Sequence, residues 1–150
     1  MLSAQTIAVV KSTAPILDEM GVKLTRHFYK RMFSHNPEVV PLFDQKNQES
    51  GEQPKALAAA ICAYAANIDN LSALGEAVER IARKHVSTKL KPEHYPIVGE
   101  NLIASIREVL GAGATDEVLQ AWTEAYEFLA DILIGREKQI YQEHVAQRQG

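Results

Sequence analysis

His85 stands where an apolar residue is expected. Leu71, Leu74, Val78 and Ile81 recur at spacings of three and four, the register of one helix face, and His85 is the next inward position. An imidazole there has two uses. It can be a satisfied boundary side chain, or it can offer a ring nitrogen to an iron that a macrocycle already holds in an apolar crevice. A site made from protein ligands alone needs more donors near by. His94 lies nine residues on, beyond a proline, and reads as a surface residue, while His27, His35 and His144 fall on polar positions. The sequence has no zinc-like spacing.

Three other residues carry a second meaning of the same kind. Phe43 closes a short helix opened by Asn36-Pro37; its ring is plain core or lies flat over a macrocycle. Tyr29 flanks the Leu24, Phe28, Met32 face, with its hydroxyl in water or aimed into a pocket. Gln53 opens a helix and shares a face with Leu57, so it is solvated or reaches a pocket mouth. Cys62, Tyr64, Trp122, Tyr126 and Tyr141 read as packing or surface residues.

The elements that must position these side chains are helical almost throughout. Ser3 is a good N-cap for a helix carrying Ile7, Val10 and Leu17 inward; Pro15 is expected to kink or split it and Gly21 to end it. A second helix spans about 22–35. Asn36-Pro37-Glu38 combines a cap, a proline at the first turn and an acid near the positive end. The polar run at 44–52 reads as a surface loop. Helices follow from Gln53-Pro54, through the His85 stripe, over Ile97, Leu102, Ile106 and Val109, and finally from Thr115 to about His144. That makes seven or eight helices with short connections. An all-α domain builds a small-molecule site between facing helices.

At 150 residues the chain is one domain, long enough to bury roughly two-thirds of its unfolded surface. A net charge of −3 without a Lys/Arg block gives no footprint for nucleic acid. One cysteine excludes an internal disulfide framework and fits a reducing compartment. No signal peptide is evident, and no stretch approaches the roughly 18 apolar residues of a membrane helix. A cytoplasmic protein is expected.

Taken in order, these residues resemble the bacterial haemoglobins, which occur as single-domain proteins or as the haem domain of flavohaemoglobins. The resemblance spans essentially the whole chain and rests on HFYKRMF at 27–33, NPEVVPLF at 36–43, QESGEQPKALA at 48–58, KH at 84–85, HYPIVGE at 94–100 and REVLGAGATDEVLQAW at 107–122. It implies a globin fold, with helices A to H around b-type haem and helix D short or replaced by a loop. It implies that His85 is the iron ligand, that Phe43 stacks on the porphyrin, and that Gln53, Leu57, Ile61, Lys84 and Tyr95 complete the cofactor-binding set. It implies a catalytic group of Tyr29, which would donate to bound O2, and Tyr95 and Glu137, which would bond near the proximal histidine. Without the resemblance, Glu137 reads as an exposed partner of Arg136 or Lys138.

The function implied is tight O2 binding and, with an electron donor, conversion of NO and O2 to nitrate. FAD and NAD(P)H would enter only through a flavin reductase, fused or separate. The chain itself has no Rossmann-type glycine fingerprint and no reductase is expected in it. Two competing readings are a single-domain haemoglobin that binds or buffers O2 without dedicated catalysis, and a helical sensor or structural domain without haem. A monomer or weak homodimer is expected.

Overall fold

A computed structural model describes residues 2–43 and 50–149. Among them are five α-helices and no strand: α1 (Ala4–His35), α2 (Glu52–Ala66), α3 (Gly75–Ser87), α4 (Tyr95–Leu110) and α5 (Asp116–Gln149). Short 3-10 turns at Pro37–Leu42, Leu71–Leu74, Pro92–His94 and Gly111–Gly113 join them. No helix among the described residues is long and apolar enough to cross a membrane. The 44–49 part of the expected polar loop, where any helix D would fall, lies outside the described residues.

Two of the three expected caps form, and Asn36 makes no side-chain cap bond to the Pro37–Leu42 turn. The Ser3 hydroxyl accepts from the Thr6 N–H at 3.1 Å, and the Thr115 hydroxyl from the Val118 N–H at 3.2 Å. Two expectations at the first helix fail. Pro15 does not split it, and Gly21 does not end it: α1 is one helix of 32 residues. Gly21 instead serves a close crossing. A Cβ there would lie 3.2 Å from the Cβ of Ala58 on α2. Thr25 one turn on bonds the Pro54 carbonyl at 2.7 Å, so the same crossing is also tied by a buried hydrogen bond. The α2 helix starts one residue before Gln53, after Gly51 at φ +81°. That left-handed position suits glycine, and a Cβ would also meet Arg26 Nη2 at 2.7 Å.

The core has two parts. One is built on α1, α2 and α4 with the start of α5 and includes Val10, Leu17, Leu24, Met32, Ile106 and Trp122. The other joins α3 to α5 through Ala82, Val86, Leu133 and Ile140, with Leu90 and Tyr95. Leu42, Tyr126 and Leu129 border both. The stripe that led to His85 is not one helix: Leu71 and Leu74 belong to a 3-10 turn, and only Val78, Ile81 and His85 lie on α3. All five are half-buried.

Candidate functional site

His85 lies on the last turn of α3, and its Nδ1 atom is held from two elements at once. The Tyr95 hydroxyl, at the start of α4, is 3.0 Å away, and Glu137 Oε2, on α5, is 3.0 Å away. The Tyr95 hydroxyl donates to the same Glu137 oxygen at 2.6 Å. Tyrosine has one hydroxyl proton, and here it goes to the carboxylate. Nδ1 must therefore carry its own proton and donate it, which leaves Nε2 as the ring nitrogen with a free lone pair.

Glu137 is 3 % exposed, so the exposed-partner alternative for it is wrong. A carboxylate that deep is costly without partners, and the hydroxyl and imidazole supply them. Burial first, and then the hydrogen bond and charge of Glu137, push the Tyr95 hydroxyl well above the usual tyrosine range, so it stays a donor. Tyr95 is itself braced: the Tyr126 hydroxyl donates to its carbonyl at 2.7 Å. Reading Tyr126 as a packing or surface residue missed that bond. His94 is half-buried, and its Nδ1 accepts the Lys91 N–H at 2.9 Å, a local cap rather than a second ligand.

Apart from this cluster, α1, α2 and the 37–42 turn supply an aromatic and aliphatic wall. Tyr29 is buried among rings, with centroids 5.0 Å from Phe28, 5.8 Å from Phe33 and 5.6 Å from Phe43. Phe43, Leu57 and Ile61 are half-buried against the first core, and Gln53 is half-buried on the opening turn of α2. Lys84 is exposed on α3 beside His85. A partly buried network ties α1 and its C-terminal Asn36 to α4: Arg31 donates to Asn101 Oδ1 at 2.9 Å, and Asn101 Nδ2 donates to Asn36 Oδ1 at 3.0 Å. Asn101 Nδ2 also donates to the Ile97 carbonyl at 2.8 Å, and sequence reasoning missed this residue.

Among the described residues, no three or more His, Cys, Asp or Glu side chains gather to hold a metal ion. The arrangement offers one oriented imidazole nitrogen. A separate groove of about 730 Å³ opens between α4 and α5, lined in part by Tyr95, Gly99, Arg107, Tyr126 and Ile134. It touches the back of the Tyr95 brace but contains neither His85 nor the aromatic wall.

The globin family model matches residues 26–133. The chain is 59% identical over 141 residues to the flavohemoprotein of Bordetella pertussis, covering 94% of this chain and 35% of that protein. It is 57% identical over 142 residues to the flavohemoprotein of Halalkalibacterium halodurans, covering 95% and 34%. The chain thus spans about a third of the length of the curated relatives it matches. Among solved structures, a bacterial globin from Campylobacter jejuni superposes with a TM-score of 0.88 at 43% identity, covering 93% of this chain and 99% of that one. A Malassezia yamatoensis flavohemoglobin with bound FAD and heme gives 0.87 at 33% identity, covering 94% and 38%.

Proposed function

Because this chain belongs to the globin family, we propose that it holds b-type haem through His85, binds O2 tightly and, supplied with electrons, converts NO and O2 to nitrate. The observation that carries this reading is the buried Glu137–Tyr95 pair on His85 Nδ1. A buried carboxylate on Nδ1 raises the donor strength of the imidazole, which favours reactivity over storage alone.

The residues fit a haem. Nε2 of His85 is left as the donor, the donor set is a single imidazole, and Phe43, Leu57, Ile61, Val78 and Ile81 are apolar side chains that stay only half-buried by protein. When bound, haem supplies an iron that takes O2 and lets one NO, one O2 and one electron become nitrate. The rest belongs to the chain. Glu137 accepts a hydrogen bond from Nδ1–H and would make the imidazole a stronger donor, while Tyr95 fixes the carboxylate in place. From the aromatic wall, Tyr29 would donate a hydrogen bond to O2, an interaction strengthened by charge on the ligand. Phe43, Leu57 and Ile61 would exclude water, Gln53 would stand at the pocket mouth, and Lys84 would be the basic side chain nearest His85 for the acidic groups of the macrocycle.

The electron comes from FAD and NAD(P)H on a flavin reductase. The support is the naming of the curated relatives as flavohemoproteins and their length, about three times the part matched here. The proposed setting is the cytoplasm. A second reading, O2 binding without dedicated turnover, is favoured by the match to nearly all of the Campylobacter jejuni globin. The haem-loaded protein, mixed with NO under O2 and a supplied flavin reductase with NADH, separates them. One nitrate per NO over repeated turnovers supports the dioxygenase; fast O2 loss with negligible nitrate supports the binding protein.

A further inference from the structure

We propose that Arg136 and Glu79 are positioning residues, an ion pair that fixes the register of α5 on α3 at which Glu137 meets His85. This rests on the reading of His85 as the iron ligand. Arg136 donates from Nε to Glu79 Oε2 and from Nη2 to Oε1, the latter at 2.8 Å, so the contact is a fork and not a single bond. Forked guanidinium–carboxylate pairs restrict rotation as well as distance. Glu79 is held from its own helix too, by Arg83 Nε at 2.8 Å.

The placement of the two links matters more than either alone. Arg136 and Glu137 are adjacent on α5, and their side chains leave that helix about 100° apart. Their partners, Glu79 and His85, are six residues apart on α3, about 9 Å along its axis. One link would leave α5 free to pivot on α3. Two links separated along α3 define both slide and rotation.

The buried end of this frame has little slack. Glu137 Oε2 serves the Tyr95 hydroxyl at 2.6 Å and His85 Nδ1 at 3.0 Å together, and a slide of about 1 Å takes the second contact out of hydrogen-bonding range. The outer end is half in water, with side chains 25% and 36% exposed. Such a pair adds little to global stability, so its effect belongs to geometry.

The test uses the haem-loaded protein and resonance Raman spectroscopy of the ferrous, ligand-free state, reading the iron–histidine stretching frequency. The variants are Arg136→Lys, which keeps the charge and loses the fork, and Glu79→Gln, with Glu137→Gln as reference and thermal unfolding measured alongside. We expect both pair variants to shift the frequency downward, by less than Glu137→Gln does, with unfolding temperatures close to the parent's. If Glu137→Gln lowers the frequency while both pair variants keep the parent's value, the positioning role is overturned. If Glu137→Gln itself leaves it unmoved, the proximal reading fails and the positioning role falls with it.

Discussion

Tyr126 donates its hydroxyl proton to the main-chain carbonyl of Tyr95 at 2.7 Å, so the side chain that braces His85 is itself braced from α5. Burial holds the Tyr126 hydroxyl above the usual tyrosine range, which keeps it protonated and donating. Tyr126→Phe removes this bond while leaving the ring. We expect a loss of about 1 kcal/mol in unfolding free energy, read from urea denaturation. An unchanged urea midpoint would show that water replaces the hydroxyl without cost.

Gly99 carries the other side of the same contact. A Cβ added there would lie 2.7 Å from Tyr126 Cε2 and 3.0 Å from Cδ2. The ring cannot retreat without giving up the Tyr95 carbonyl. Gly99→Ala is expected to cost about 1–3 kcal/mol, the usual range for overpacking, and more than Tyr126→Phe. In Tyr126→Leu the ring is gone, and the alanine should then be tolerated. A double variant as unstable as the sum of the two would contradict the contact.

The outer ion pair gives a pH signature. Its hydrogen bond to Arg136, ahead of charge attraction, lowers the Glu79 carboxyl to about 2 from its ordinary 4.5. The folded value lies below the unfolded one, so the pair's contribution is complete above pH 4.5 and is lost as pH falls through about 2. The gap in urea midpoint between parent and Glu79→Gln should therefore be small, present above pH 4.5 and gone toward pH 2. It should also shrink in ~1 M salt, where screening acts within about 3 Å. A gap that persists at low pH would assign the effect to packing.

Much of the frame was legible in the sequence because its signals are local. Ser3 and Thr115 mark helix starts through bonds to residues three positions on, and the Val78, Ile81, His85 register needs only the helix period. What was not legible depends on partners far apart in the chain. Gly21 has the residue type of a helix end, and only the approach of Ala58 shows it to be a crossing point. Glu137 sits between Arg136 and Lys138, which invites a surface reading; the resemblance to bacterial haemoglobins pointed inward, and its partners prove to be 42 and 52 residues away. Arg136 in turn finds Glu79, 57 residues away. Asn101 and Tyr126 gave no distinctive pattern at all, since a polar side chain inside a helix reveals its partner only after the helices pack.

In the aromatic wall, Tyr29 is packed against Phe28, Phe33 and Phe43, which leaves its ring little freedom to reorient. Tyr29→Phe should keep that packing and remove the hydroxyl donor. We expect the O2 dissociation rate, followed by stopped-flow displacement with CO, to rise about tenfold or more, the factor set by losing a hydrogen bond of about 1.5–3 kcal/mol to a charged acceptor. A rate within twofold of the parent's would place the hydroxyl elsewhere in the ligand-bound protein.

The central claim is that Glu137 acts on the iron through His85. The most direct measurement is the iron–histidine stretching frequency of the ferrous, ligand-free haem protein, compared between the parent and Glu137→Gln. Glutamine keeps the size of the side chain and removes the negative charge that draws on the Nδ1 proton. We expect the frequency to fall in the variant, with nitrate formation falling alongside. The same frequency in both proteins would contradict the claim.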